Sequence, residues 1–195
     1  MTASSRNRNC DSARSTVASD LMAAAAHLIS RFFGSLRPGG PPSSELQWVH
    51  TVLLPGELAV WQRLSGPDRR HSAAVARRVE VALGDRGSRP VLAAALLHDC
   101  GKSVSALRTP GRVVATVFDA VLGHDDARAQ RWADRGWPAR RMGQYWLHPR
   151  LGAELLERVG SEPITVAWTR EHHLPARSCS LDSELADALR DADDD

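Results

Sequence analysis

The chain is poor in lysine, isoleucine, tyrosine and cysteine. Of its 25 basic residues 24 are arginine, so Lys102 is the single lysine; isoleucine occurs twice, tyrosine once and cysteine three times in 195 residues. Three scattered cysteines (Cys10, Cys100, Cys179) argue against a disulfide scaffold or a cysteine-based zinc site and favour a reducing, cytoplasmic setting. No apolar run reaches 18 residues, so no membrane partner is expected. A basic excess is missing too. With 25 basic against 23 acidic residues the formal net charge is +2, which argues against a dedicated nucleic-acid binder. The two isoleucines stand against 50 alanines and leucines, a bias toward strong helix formers. No Asn-Gly hairpin between alternating strands and no internal repeat is visible.

What is present reads as helices. Residues 1–19 are polar, rich in Ser, Arg and Asn, and without periodicity, as expected of a disordered tail. The apolar stretch that follows holds Asp20 and His27 and lacks a convincing cleavage site, which disfavours a signal peptide; Met22 is an alternative start. Residues 20–43 read as an appendage helix (21–36) and a Pro/Gly linker, Arg37-Pro-Gly-Gly-Pro-Pro42. From 44 to 195 the signals predict one all-α domain. Ser44 is the expected N-cap of a helix over 45–53, Pro55 opens one through Leu64, and Asp68 is the expected cap of 69–83. Residues 90–99 are apolar on nearly every face, the pattern of a central buried helix. Further helices are predicted at 111–122, 125–135, 139–147, 149–159, 162–173 and 182–192.

The eight histidines carry most of the functional signal. His71 shares the inward face of Val75, Val79 and Ala82, and His98 follows Val91, Ala94 and Ala95 at helical spacing. Asp99 follows Leu92, Ala95 and Leu96 in the same way, so an imidazole and a carboxylate leave the most apolar helix together. His172 continues the stripe of Ile164 and Trp168, and His148 opens a helix after Trp146 and Leu147. A single histidine on an apolar face is more often a hydrogen-bonded core residue than a ligand. The whole set, with His173 and an acidic C-terminus, is harder to bury. Each unpartnered polar group costs roughly 1–3 kcal/mol, and a lone carboxylate more. One divalent cation satisfies imidazole and carboxylate together. His50, His124 and His27 lack such company and read as structural or exposed.

The stretches DRRHSAAVARRV (68–79), AALLHDCGK (94–102), HPRLGAELL (148–156), EHHLP (171–175) and ALRDADD (188–194) resemble, in this order, the HD superfamily of metal-dependent phosphohydrolases. The resemblance covers about residues 60–195 and implies an HD-type helical bundle, here with an N-terminal helical appendage. It implies His71 as first ligand, His98 and Asp99 as the central pair, and Asp193 as the closing carboxylate, with Asp187, Asp191 and Asp194 as neighbouring alternatives. His148, His172 and His173 resemble the extended ligand pattern of two-metal members such as the HD-GYP branch, in which the carboxylate matching Asp99 bridges both ions. Leu174-Pro175-Ala176 replaces that branch's Gly-Tyr-Pro signature, so cyclic di-GMP hydrolysis is not implied. Pro67 stands where some three-metal members place a glutamate, which favours one or two ions.

The implied chemistry is hydrolysis of a phosphomonoester or phosphodiester, nucleotides included, through metal-activated water. Asp99 and Lys102 are the expected catalytic residues, and Lys102 and Arg70 the expected substrate contacts. A lysine ammonium is a compact charge for a phosphate oxygen, and Gly101 beside it permits close approach. Arg69, Arg112, Arg140 and Arg141 are candidates for an anion-binding rim, although such arginines are more often solvated or in surface ion pairs. The six tryptophans, at helical spacing, read first as core, with Trp146 and Trp168 the best placed to stack on a base. The cofactor is one or two divalent ions drawn from Mn, Fe, Zn, Co or Ni; the partner is a small phosphorylated molecule. The alternative is a regulatory HD-domain module whose metal site is structural.

Overall fold

The structure, a computed structural model, describes residues 39–123 and 125–194; the predicted tail and appendage helix lie outside the described residues. Among the described residues every regular element is helical: α1 (Ser43–Val52), α2 (Pro55–Trp61), α3 (Gly66–Leu83), α4 (Arg89–Leu97), α5 (Lys102–Ser105), α6 (Thr109–Leu122), α7 (Asp126–Ala133), α8 (Ala139–Trp146), α9 (His148–Arg158), α10 (Pro163–Glu171) and α11 (Ser183–Asp194). Short 3₁₀ turns follow α3 and α10. The all-α class is as the sequence predicts.

Helix starts differ by up to one turn. Asp68 does not cap α3. Ser65 does, its hydroxyl accepting from the Asp68 N–H at 3.3 Å. Proline is tolerated in a first turn, where its missing N–H would have no partner. Gly66-Pro67 therefore open the helix one turn early, and Asp68 is freed to receive Arg112 Nη1 at 2.7 Å. Ser44 lies inside α1 behind an extended Pro42 and makes no cap. Part of the expected linker packs on the helices as well. Pro41 is buried, and the Gly39 carbonyl accepts from Arg70 Nη1 at 2.8 Å.

α4 is the central helix. All seven residues from Val91 to Leu97 are buried, Ala93 to Leu97 completely, and each large one stabilises the fold by roughly 1.5–3 kcal/mol. α3 and α10 both pack on it, with α11 against α3 and α9 against α10. Its N-terminus is held by an ionic strut that runs from a buried carboxylate to the surface. Arg89 Nη1 donates to the wholly buried Glu57 at 2.9 Å, Arg89 Nη2 to Glu162 at 2.7 Å, and the Leu54 N–H to Glu57 at 2.9 Å.

A smaller core lies under α6, α7 and α8, built from Ala115, Ala129, Trp146 and Leu147. Trp146 is 5% exposed and its indole N–H donates to the Ala115 carbonyl at 2.8 Å. Trp168 is 2% exposed in the main core. Neither ring is open to a base, so both are core residues, as the helical spacing predicts, and neither stacks on a ligand. Their flat apolar area is used in packing.

Candidate metal centre

Three histidines stand where helices end. His98 is the C-cap of α4, His172 the C-cap of α10, and His148 the first residue of α9 directly after α8. A helix leaves its last carbonyls without intrahelical N–H partners. Each of these rings takes one of them. His98 Nδ1 meets the Ala95 carbonyl at 2.9 Å, His148 Nδ1 the Tyr145 carbonyl at 2.8 Å, and His172 Nδ1 the Thr169 carbonyl at 3.0 Å. A carbonyl only accepts, so Nδ1 carries the hydrogen, and in the neutral ring Nε2 is a bare lone pair. This backbone contact is the orientation that metal-ligating imidazoles use.

The three Nε2 atoms converge on Asp99. Its Oδ1 lies 3.2 Å from His148 Nε2 and 3.7 Å from His172 Nε2; its Oδ2 lies 3.5 Å from His98 Nε2 and is bonded by the Lys102 ammonium. On the Oδ2 side, His71 Nε2 is 2.8 Å from Asp193 Oδ1, which is itself 3.5 Å from His98 Nε2. On the Oδ1 side, His173 Nε2 faces His148 Nε2 at 3.3 Å. Two trios result, His71–His98–Asp193 and His148–His172–His173, each with its ligand atoms within 4.8 Å of one another. Among the described acidic residues near the C-terminus, Asp193 pairs with His71 and His98, whereas Asp187 pairs with Arg190.

Tight backbone contact makes the convergence possible. Gly101, in the turn between α4 and α5, lies against the start of α9, where a Cβ would sit 2.0 Å from the His148 carbonyl oxygen and 2.7 Å from the Gly152 N. Gly152 faces back, its absent Cβ 3.0 Å from the Gly101 N. The two glycines thus let the 98–101 turn rest on α9 and carry Asp99 to His148. The sequence reading gave Gly101 a role beside a phosphate; the close approach is to a helix backbone instead.

The charges in the site divide unevenly. Burial disfavours a charged His98, but Asp99 and Asp193 outweigh it and raise its pKa to about 10. Burial would raise Asp99, yet Lys102 and His98 hold it well below the usual carboxylate range. Burial pushes His148 down to about 4, with Lys102 adding to the shift, and lowers His172 as well, helped by the charge on His98. His173 moves the same way through burial and its two histidine neighbours, although its ring stands at the exposed rim.

These residues fit a divalent cation. His172 Nε2 is buried with no hydrogen-bond partner, an omission that costs roughly 1–3 kcal/mol. His98 Nε2 makes no hydrogen bond although carboxylate oxygens of Asp99 and Asp193 each lie 3.5 Å away. At His148 a lone pair faces a carboxylate oxygen with no hydrogen between them. Five imidazoles and two carboxylates form a donor set for a first-row divalent ion.

The two expected substrate residues each have a partner within the protein. Lys102 is mostly buried and its ammonium is bonded to Asp99. Arg70 is engaged with the Gly39 carbonyl. Of the proposed rim, Arg112 is bound to Asp68, Arg69 lies 5.6 Å from the Trp61 ring centre, and Arg140 is exposed. His50 is exposed, and His124 lies outside the described residues. Sequence reading missed Tyr145, whose carbonyl orients His148 and whose ring lies 5.8 Å from that imidazole. The signal was there in its position three residues before His148. Compared with known proteins, the chain matches no family model, no curated protein and no solved structure.

Proposed function

We propose that this chain is an HD-type, metal-dependent phosphohydrolase that cleaves the ester of a small phosphorylated molecule, a nucleotide among the candidates. The observation that carries the reading is the Asp99 carboxylate set between two ligand trios, one oxygen toward each. His71, His98 and Asp193 would hold one ion and His148, His172 and His173 a second, with Asp99 shared. A divalent ion so held supplies a Lewis acid for phosphoryl oxygens and lowers the pKa of bound water from 15.7 toward roughly 7.

The chain's own residues do the rest. The carbonyls of Ala95, Tyr145 and Thr169 fix three rings in one tautomer, so no reorganisation is needed when ligands are recruited. Lys102 keeps a positive charge in the wall of the site beside Asp99, where an anionic phosphoryl group is favoured. His98, Asp99, His148 and His172 are buried, whereas His71 is 31% exposed and His173 stands at the rim. The more exposed His71 and His173 mark the side open to substrate, and His173, held neutral by burial and its two histidine neighbours, would complete the ligand set rather than supply a proton.

The test is metal analysis of the purified chain, then a phosphate-release screen over phosphomonoesters, phosphodiesters and nucleotides with added Mn or Fe. Turnover that disappears in His98→Ala and in Asp99→Ala supports the reading; turnover that survives both refutes it. Bound metal without turnover on any substrate would assign the chain to the regulatory alternative.

A further inference from the structure

The outer face of α6 is apolar and open. Val113, Val114, Val117, Phe118, Val121 and Leu122 are 37–76% exposed, whereas Ala115 is fully buried beneath them. Apolar surface left in water forgoes about 25 cal/mol per Å². The six residues form two adjacent rows at four-residue spacing, 113–117–121 and 114–118–122, with a groove between them. Helical geometry places the two charged residues within the helix, Arg112 and Asp119, on the opposite side, and Arg112 is tied inward to Asp68 at 2.7 Å.

We propose that this face is the contact between two copies of the chain, α6 packed on α6 about a two-fold axis. Rows at four-residue spacing are the ridges of the commonest helix–helix packing class, which needs the same ridges on both partners and crosses near −50°. A second copy meets that requirement by symmetry, and two-fold dimers are the commonest closed assembly. The six side chains offer on the order of 500 Å² per copy, about 1,000 Å² across a pair, the lower end of what a specific interface buries. The dimer is therefore a weak, reversible one. A lipid surface fits less well, because membrane-surface helices present arginine and lysine along an open polar face, and here that face is packed on the domain. The inference does not depend on the metal reading.

The test is sedimentation equilibrium of the full chain from roughly 1 to 200 μM, the range where interfaces of this size associate. The expected result is a mass rising from one chain to two, and a Val117→Glu/Val121→Glu variant that stays at one chain, its association weakened at least ~100-fold. Its far-UV spectrum and melting temperature should match the parent. Val121→Lys alone, at the most exposed position of the face (76%), gives the same dissociation should the double variant misfold. Val81→Glu, on α3 and 84% exposed, should leave the dimer intact. A parent that stays monomeric throughout overturns the proposal. So does a dimer that persists in the α6 variants, or a monomer that binds phosphatidylcholine–phosphatidylserine vesicles through this face.

Discussion

The two ligand trios flanking Asp99 solve the same burial problem in opposite ways. On one side, His98 sits between two carboxylates and is driven toward the charged form, its pKa raised to about 10. On the other, His148, His172 and His173 face one carboxylate oxygen among three rings and are held neutral, His148 down to about 4. The first trio holds a positive charge at the place an ion would occupy; the second holds lone pairs with no proton to displace. The difference follows from carboxylate count, because Asp193 joins only the first trio. Burial alone would have pushed every ring the same way.

Removing the shared group should have the largest effect. Asp99→Ala is expected to weaken metal binding at both trios by more than about 100-fold and to lower any phosphatase turnover by roughly 10³-fold or more. It also strands the Lys102 ammonium in the protein, a loss of about 3 kcal/mol or more in stability. Calorimetric metal titration and thermal melts measure these directly. Loss at one trio only would show that Asp99 does not serve both.

Gly101→Ala comes next. A methyl group 2.0 Å from the His148 carbonyl oxygen must push the 98–101 turn away from α9. A destabilisation of about 3 kcal/mol is expected, a melting point lower by ~6–12 °C, and with it weakened binding at the trio that contains His148. A variant as stable as the parent would mean that the two glycines do not set the distance.

The trios should then separate in pH. His148 titrates near 4 when folded and near 6.5 when unfolded. Below 6.5 the unfolded chain takes up a proton that the folded chain refuses, so stability falls as pH drops from 6.5 toward 4. His98 has the opposite sign. Its contribution is complete below 6.5 and is lost as pH rises through about 10. Chelator-treated protein should melt highest near pH 6.5. His148→Gln should flatten the acid limb and His98→Gln the alkaline one. Identical profiles in both variants would erase the contrast.

The smallest effect tests burial within one trio. His172 is buried with an unpartnered Nε2, while His173 is at the exposed rim. His172→Ala should therefore cost more metal affinity than His173→Ala, and a reversed order in the same titration would remove burial as the explanation.

Much of this was legible in the sequence, for identifiable reasons. The all-α class follows from helix-forming composition, and the buried state of α4 from apolar residues on every face of 91–97. His71, His98, Asp99 and His172 are readable from spacing, since each continues an apolar stripe, whereas His148, His173 and Asp193 are implied as ligands by the resemblance to the HD superfamily. Misreadings arose where the answer lies in a neighbour distant in sequence. Gly101 looked like room for a ligand because nothing local shows that it abuts His148, 47 positions on. Trp146 reads as core from its spacing, but its indole partner, the Ala115 carbonyl 31 residues away, could not be read. Lys102 is conspicuous as the lone lysine; what no local pattern shows is its bond to Asp99, which depends on the turn after α4. Ser65 displaced Asp68 as cap because both are good caps, and only the proline's place in the first turn chooses between them.

The most direct test is the divalent-metal content of the full chain after saturation with Mn and exhaustive dialysis, set beside that of a His98→Ala/Asp99→Ala variant whose fold is checked by circular dichroism. About one or two ions per chain are predicted in the parent, falling to background in the folded variant. A parent that retains none, or a variant that retains as much, would contradict the convergence of these side chains on a common cation.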